Sequence, residues 1–186
     1  MTAGLKTAGP QAAGHVILVG LPGAGKTTVG RLLAAALDRP FLDFDEELER
    51  RAGRSVAELF AAEGEPAFRD RETALSAELA SGQAHVLAPG GGWMANVVAA
   101  ATLRPAARII YLRVTPDAAL ARMGAGRAAR PLLAGSDPRA ALDELLRRRE
   151  VLYAMADHVL DTEALSAAEA AETLVEIARE LERADV

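Results

Sequence analysis

The chain has 186 residues, of which 51% are hydrophobic and 25% are charged, proportions typical of one globular domain with a buried core rather than of a disordered chain. The absence of cysteine and a count of only three histidines exclude a disulfide scaffold, a cysteine nucleophile and a zinc site rich in cysteine or histidine. The formal net charge of −5 argues against nucleic acid as a partner, and no apolar run approaches the ~20 residues of a transmembrane helix, which argues against a membrane location.

Residues 1–14 are small and polar and are punctuated by glycine and proline. They have neither the apolar core of a signal peptide nor an arginine-rich amphipathic pattern. We therefore expect a disordered leader and a cytoplasmic location, with a single folded domain from residue 15 to residue 186.

From residue 15 onward, short apolar segments alternate with segments of helical spacing. The predicted strands lie at 15–19, 41–44, 85–88, 107–114 and 158–161. The predicted helices cover 26–37, 45–53, a segment opened by the capping box at 55–58, about 66–82, a short segment from residue 115, about 137–156, and a last segment after the capping box at 166–169. Five strands that alternate with helices indicate right-handed crossovers and an α/β fold, in which helices cover both faces of a parallel sheet.

One irregular stretch, at about residues 122–138, is rich in glycine, arginine and proline and has no apolar period. A long irregular segment inside a compact α/β chain is typical of an active-site lid. The segment contains Arg127 and Arg130, whose charge would suit the stabilisation of a transferring phosphate. The alternative is that both arginines are solvated surface residues.

The most specific pattern is GLPGAGKT, residues 20–27, which matches the phosphate-binding loop G-x-x-x-x-G-K-[ST]. It lies between a predicted strand and a predicted helix, which is the context that such a loop requires. Its glycines would let the backbone N–H groups of Gly23, Ala24 and Gly25 face a phosphate at the helix N-terminus.

The residues that close this loop have side chains suited to a nucleoside triphosphate. Lys26 is the only lysine beyond the leader, in a chain that otherwise uses arginine, and its compact ammonium would reach the β- and γ-phosphates. The Thr27 hydroxyl would ligate Mg²⁺, and the Thr28 hydroxyl would donate to the α-phosphate. The loop therefore predicts triphosphate binding but leaves the phosphate acceptor open.

Two carboxylates lie at the end of the second predicted strand, in the sequence DFD. Ligands of open parallel sheets bind beyond the carboxyl ends of the strands, and residues two apart on a strand point the same way. Asp43 and Asp45 could therefore both face the crevice, one holding metal-bound water and the other orienting an acceptor hydroxyl and taking its proton. The alternative for Asp45 is a helix N-cap without a chemical role.

Arg69 and Glu72 lie three residues apart in a predicted helix, which favours either a surface salt bridge or an arginine held by Glu72 to bind a substrate carboxylate. The triple glycine, Gly90–Gly92, follows the third strand and is either a loose turn or a place where the backbone approaches a ligand. Trp93, the only tryptophan, could line the pocket or pack in the core. Of the three arginines at 147–149, at most one or two can face the crevice.

Together these motifs resemble those of shikimate kinases. The resemblance covers about residues 15–162 and is carried by GLPGAGKT, DFDEELERRAGRSVAELFAAEGEPAFRDRE (43–72), PGGG, RPLL, RRREVLY and ADHVLDT (156–162). It implies the nucleoside-monophosphate-kinase-like P-loop kinase fold, with a lid and a substrate-binding subdomain at about 45–82. The implied reaction is ATP plus shikimate to ADP plus shikimate 3-phosphate, a step towards aromatic amino acids, and nothing in the sequence demands more than a monomer.

The resemblance also implies roles at the phosphate. Lys26 and Arg130 would contact the phosphates, with Arg130 closing over them as part of the lid. Thr27 would ligate Mg²⁺ and Asp43 would act on the ion through water. Arg122 matches an arginine that the family often places near adenine.

On the acceptor side, the resemblance implies that Asp45 binds the acceptor hydroxyls and acts as the base. Arg69 and Arg149 would bind the shikimate carboxylate, aided by the backbone of Gly90–Gly92, and Glu72 would hold the site in place. Departures from the family pattern are Trp93 directly after the triple glycine and the lack of an arginine in DTEALS (161–166).

Two other functions fit parts of this pattern. A gluconate-type metabolite kinase would share the phosphate loop and the lid but would not need two arginines directed at a carboxylate. A non-catalytic, ligand-sensing relative would be expected to lose Lys26, Asp45 or Arg130, and all three are present.

Overall fold

Five short strands form one parallel sheet in the computed structural model, which describes residues 14–124 and 137–183. The strands are β1 (His15–Val19), β2 (Phe41–Asp43), β3 (Val86–Ala88), β4 (Ala107–Arg113) and β5 (His158–Asp161). Their order across the sheet is β2-β3-β1-β4-β5, and every neighbouring pair is parallel. The predicted α/β fold with five parallel strands is therefore confirmed.

The central strand β1 is buried along its whole length, with Ile17 in register with Leu87 of β3 and Ile109 of β4. A strand buried on both sides reads as a continuous apolar run, which is why HVILV shows no alternation.

Seven α-helices are present in the described residues, and they connect and cover the strands. They are α1 (Lys26–Ala36), α2 (Phe44–Ala52), α3 (Val56–Ala80), α4 (Val97–Leu103), α5 (Pro116–Met123), α6 (Pro138–Tyr153) and α7 (Ala167–Arg183). One core cluster joins Leu33 of α1 and Leu174 of α7 to one face of the sheet. A second cluster joins Leu75 of α3 and Leu103 of α4 to the other face. Burial of apolar side chains on both faces supplies the main stabilisation of such a layered fold.

The helix α3 is two helical segments that meet at Gly64, whose φ of 79° and ψ of 171° are not helical. The first segment begins with the predicted capping box, in which Ser55 and Glu58 satisfy each other's backbone N–H groups. Pro66 lies directly after the break, at the start of the second segment, where its missing N–H costs little. The two predicted helices of this region are thus both present, joined at a glycine.

Two local predictions differ from the structure. The strand β2 ends at Asp43, and α2 begins at Phe44, so Asp45 lies in the first helical turn rather than on the strand. The N-cap of α2 is Asp43, whose carboxylate accepts from the N–H groups of Asp45 and Glu46. The prediction also lacked α4, whose N-cap Asn96 accepts from the N–H of Ala99.

The predicted leader apart from Gly14, and most of the predicted lid with Arg127 and Arg130, lie outside the described residues. Among the helices of the two described ranges, none is long and apolar enough to cross a membrane.

Candidate active site

The phosphate-binding loop connects β1 to α1 at the carboxyl edge of the sheet. Gly23 and Gly25 have φ values of 83° and 92°, a conformation that residues with a side chain rarely adopt. Gly25 is also the N-cap of α1 and supplies no side chain to its first turn. The N–H groups of that turn, together with the positive end of the helix dipole, can therefore receive a phosphate.

The Lys26 ammonium lies against the same loop. Its Nζ atom donates to the carbonyl oxygens of Gly20 and Leu21, at 3.0 Å each. These two bonds hold the positive charge at the loop itself, beside the amide groups that would surround a phosphate.

A cavity of about 460 Å³ adjoins the loop, a size typical of small-molecule sites. Its opposite wall includes Arg122 and Met123 of α5 and the segment that leads from Thr162 into α7. Arg122 donates to Thr162 Oγ1 at 3.0 Å and also to the Thr162 carbonyl, so it joins α5 to that segment. Arg122 thus forms part of the wall of a cavity that adjoins the phosphate loop.

Two oxygen-bearing side chains meet where the phosphate loop approaches the end of β2. Thr27 Oγ1 donates to Asp43 Oδ2 at 2.7 Å, while Asp43 Oδ1 caps α2. No group of three or more acidic, histidine or cysteine side chains that could hold a metal occurs within the described ranges. A hydroxyl and one carboxylate fit Mg²⁺, which keeps several waters and takes its other ligands from phosphate.

The Asp45 carboxylate is partly buried and lies against the triple glycine. A Cβ atom built on Gly90 would lie 2.9 Å from Asp45 Oδ1. Burial, together with the nearby charge of Asp43, raises the pKa of the Asp45 carboxyl to about 6, while Lys26 acts in the opposite direction. Asp45 is thus close to both the triple glycine and Lys26 of the phosphate-binding loop.

Arg69 extends from the second segment of α3 towards the last glycine of the triplet. Its Nη1 atom donates to Glu72 Oε2 at 2.8 Å, and the Glu72 side chain is fully buried. A Cβ atom on Gly92 would lie 2.5 Å from Arg69 Nη2. The contact between Arg69 and Glu72 is therefore not the solvated helix-surface pair that the spacing alone also allowed.

Arg149 approaches the middle glycine from α6. A Cβ atom on Gly91 would lie 3.0 Å from Arg149 Nη1. Its neighbours Arg147 and Arg148 are exposed and pair with Glu144. One of the three consecutive arginines therefore reaches the site, in agreement with the expectation that at most two could.

Each glycine of the triplet thus lies against one of three site side chains: Gly90 against Asp45, Gly91 against Arg149 and Gly92 against Arg69. None of the three glycines has a positive φ. The triplet provides space rather than an unusual backbone conformation, because a Cβ atom on any of the three would lie within 3.0 Å of the end of one of these side chains, which would have to shift. The triplet is therefore a turn against which three side chains pack.

Tyr153 supports the triple-glycine loop from the core side. The sequence did not predict this role. Its ring is fully buried and stacks on Tyr111, with 5.0 Å between ring centroids. Its hydroxyl donates to the Gly91 carbonyl at 2.9 Å. Burial raises the pKa of this hydroxyl, and the adjacent Arg149 charge opposes that rise. The only signal in the sequence was a tyrosine four residues after Arg149, on the same helical face.

Asn96 was also missed. Besides capping α4, it donates to the Arg69 carbonyl at 2.9 Å and to Glu72 Oε2 at 3.3 Å. It therefore links α4 to the part of α3 that carries the arginine. An asparagine directly before an apolar helical segment was a usable N-cap signal.

Trp93 packs in the core. It is fully buried, donates from Nε1 to Ser76 Oγ at 3.2 Å and meets the Phe44 ring edge-on. Of the two roles considered for Trp93, core packing is the one that the structure supports.

Comparison with known proteins gives consistent matches. A family model described as shikimate kinase matches residues 22–179. A shikimate kinase of Moorella thermoacetica is 44% identical over 163 residues, which cover 88% of this chain and 93% of that protein. The solved structure of the Acinetobacter baumannii shikimate kinase in complex with shikimate is 37% identical, with a TM-score of 0.85 and coverage of 92% of this chain and 96% of that one.

A gluconokinase of Sinorhizobium meliloti is 18% identical, with a TM-score of 0.59 over 95% of this chain and 100% of the other, a likeness that shows the fold alone. The P-loop kinase fold expected from the motifs is confirmed by both solved structures. The family match, the 44% identity and the site geometry agree: the chain is a kinase that belongs to the shikimate kinase family.

Proposed function

We propose that this protein transfers the γ-phosphate of ATP to the 3-hydroxyl of shikimate, giving shikimate 3-phosphate and ADP on the route to chorismate and the aromatic amino acids. The observation that carries the proposal is the convergence of Asp45, Arg69 and Arg149 on one glycine loop beside the phosphate-binding loop. These groups suit a small anionic polyol, because the two arginines can bind its carboxylate and the Asp45 carboxylate can bind its hydroxyl groups.

The acceptor carboxylate would bind between Arg69 and Arg149, because a guanidinium matches a carboxylate in shape and charge. The backbone of Gly90–Gly92 would form the floor of that pocket. Glu72 and Asn96 would fix the direction of Arg69 through the hydrogen bonds described above.

The nucleotide would bind with its phosphates at the backbone N–H groups of Gly23, Ala24 and Gly25. Lys26 would contact the β- and γ-phosphates and Thr28 the α-phosphate. Arg122 would lie beside the base in the cavity of about 460 Å³. Mg²⁺ would be held by Thr27 and, through water, by Asp43, and when bound it would neutralise phosphate charge.

In the transfer step, the acceptor hydroxyl oxygen forms a bond to the γ-phosphorus while the bond from that phosphorus to the β–γ bridging oxygen breaks. ADP leaves with the bonding electron pair. Asp45 orients the hydroxyl and accepts its proton, for which a partly buried carboxylate with a pKa of about 6 is suited at neutral pH. Lys26 stabilises the negative charge that develops on the phosphate oxygens.

We further propose that residues 15–186 act as one monomeric domain in the cytoplasm, where ATP is available. The helices at about 45–82 would form the substrate-binding subdomain and about 122–138 the lid. Arg130, which lies outside the described residues, would be the cation of that lid.

The test is ADP release with Mg-ATP in the presence of shikimate, gluconate or a nucleoside monophosphate, and without an acceptor. We expect release only with shikimate to exceed the background of ATP hydrolysis. Equal rates with and without shikimate, or faster release with gluconate, would refute the proposed acceptor while leaving nucleotide binding unaffected.

A further inference from the structure

Every donating edge of the Arg69 guanidinium already has a neighbour. The edge formed by Nε and Nη2 faces Glu65, whose Oε1 accepts from Nε at 3.2 Å and from Nη2 at 2.8 Å. Nη1 donates to Glu72. The terminal edge faces Gly92, where a Cβ atom would lie 2.5 and 3.0 Å from Nη2 and Nη1 and 3.1 Å from Cζ.

A substrate carboxylate needs two parallel N–H donors from one edge to bind arginine in bidentate fashion. The terminal edge faces Gly92, and Glu72 is fully buried and accepts from Asn96. Glu65 is the one acidic neighbour of Arg69 that can leave easily, because its side chain is 63% exposed. It also directly follows the break of α3 at Gly64, beyond which the helix starts anew.

We propose that Glu65 is a resident carboxylate that occupies Arg69 in the substrate-free enzyme, competes with the carboxylate of the acceptor and so sets the affinity for that acceptor. This inference rests on the proposed function, in which Arg69 binds the shikimate carboxylate. On binding, the acceptor carboxylate takes the Nη2 donor that Glu65 occupied and Glu65 turns into solvent, while Glu72 keeps Nη1 and preserves the orientation of the arginine.

The expected change in shikimate affinity is small, because an exposed ion pair between residues i and i+4 has an interaction free energy of only a few tenths of a kcal/mol. Replacing Glu65 by glutamine removes the charge of the competitor but retains its shape. We expect Glu65→Gln to tighten shikimate binding about two- to fivefold, which corresponds to about 0.4–1 kcal/mol. The turnover of saturated enzyme should stay the same, because Glu65 has left the arginine by then.

The experiment is calorimetric titration of the full chain with shikimate and with its uncharged methyl ester. The variants are Glu65→Gln, Arg69→Ala and Asp70→Asn, with the wild type as reference. Asp70 is an exposed carboxylate next to Arg69 in the chain, so its variant removes the same charge nearby. We expect a gain for shikimate in Glu65→Gln alone, no gain for the ester in any variant, and loss of shikimate binding in Arg69→Ala.

Unchanged or weaker shikimate binding in Glu65→Gln would overturn the proposal, as would an equal gain in Asp70→Asn, which would show a general charge effect. An equal gain for the ester would also overturn it. If Arg69→Ala bound shikimate normally, the assignment of Arg69 within the proposed function would itself be wrong, an outcome distinct from the failure of Glu65 alone. Thermal unfolding of each variant checks that the fold is intact.

Discussion

Asp45 shows how the surroundings of one residue change its chemistry. Phe44 points into the core and Asp43 caps the helix, which leaves Asp45 in the first turn of α2, facing the triple glycine. Burial and the Asp43 charge raise its pKa towards neutrality, so that the carboxylate is a better proton acceptor than an exposed aspartate.

The substitution Asp45→Asn keeps the size of the side chain and a hydrogen-bonding oxygen but removes the proton acceptor. We expect kcat to fall about 10²–10⁴-fold, the usual contribution of a general base. Shikimate binding, measured by calorimetry, should change by less than about fivefold, the worth of one neutral hydrogen bond.

The matched control is Glu46→Gln, which removes an exposed carboxylate that pairs with Arg31. We expect it to leave kcat unchanged. If Asp45→Asn kept wild-type turnover, or if both variants lost turnover equally, Asp45 would not be the base.

Lys26 offers a second prediction at the scale of one residue. Its ammonium donates to two carbonyl oxygens of the phosphate loop, at 3.0 Å each, a position that a planar, larger guanidinium cannot take without moving the loop. We expect Lys26→Arg to lower kcat/KM for ATP about 100-fold or more, as the loss of one transition-state contact does. Near wild-type kcat/KM in steady-state assays would mean that charge alone suffices there.

At the scale of one element, three side chains pack against the loop of Gly90–Gly92. Asp45, Arg149 and Arg69 come from three different helices, and each is held close to a different glycine. The hydroxyl of Tyr153 fixes the loop from the core side. Rigid support of this kind keeps a site within the small tolerance that catalysis requires.

This arrangement predicts different defects for different glycines of the triplet. In Gly92→Ala the added methyl group would lie 2.5 Å from Arg69 Nη2, so we expect the KM for shikimate to rise about tenfold with a smaller change in kcat. In Gly90→Ala it would lie 2.9 Å from Asp45 Oδ1, so we expect kcat to fall about tenfold or more with a smaller change in KM.

Gly82→Ala is the control for these two variants. A Cβ atom there would be 3.4 Å from the nearest atom, the Leu79 carbonyl oxygen, and Gly82 has no positive φ. In steady-state kinetics, Gly82→Ala should have the kcat and the KM for shikimate of the wild type. Identical defects in Gly90→Ala and Gly92→Ala would mean that either substitution distorts the whole loop. Each glycine would then not affect only the one side chain beside it.

At the scale of the whole molecule, the amino edge of the sheet opposite the site contains a buried histidine. His15 Nε2 lies 2.9 Å from the Leu79 carbonyl, and Nδ1 accepts from the His85 N–H at 3.1 Å. Only the neutral ring, with its proton on Nε2, satisfies both partners. Burial lowers the pKa of His15, partly opposed by the bond to Leu79 and assisted by the charges of His85 and Arg39.

A histidine with a lowered pKa in the folded state makes stability depend on pH. Below its ordinary value of about 6.5 the unfolded chain binds a proton that the folded chain does not, so stability is lost as the pH falls. We expect the free energy of unfolding, measured by urea denaturation, to drop by up to about 1.4 kcal/mol per pH unit from this group below pH 6.5.

In the variant His15→Gln, the free energy of unfolding should no longer show the pH dependence that His15 contributes. The variant His158→Gln, at the partly exposed start of β5, should retain it. An identical pH dependence for His15→Gln and the wild type between pH 8 and 5.5 would exclude the proposed role of His15.

Much of the fold and site could be predicted from the sequence, because the phosphate loop and the strand pattern are local. Asp43, Asp45 and Arg69 belong to one stretch of chain whose motif is distinctive. The roles of Tyr153 and Gly92 could not be predicted, because each depends on the approach of residues far apart in sequence. The capping role of Asp43 was missed because a helix can begin one residue either side of its predicted start.

The most direct test of the proposed function is to determine which oxygen of the acceptor receives the phosphate. After incubation with Mg-ATP and shikimate, phosphorus–proton coupling in the nuclear magnetic resonance spectrum of the product identifies the esterified carbon. A single product phosphorylated at the 3-hydroxyl is the predicted result, since Asp45 and the two arginines fix one orientation. A mixture of phosphate esters, a single ester at another hydroxyl, or no ester at all would contradict it.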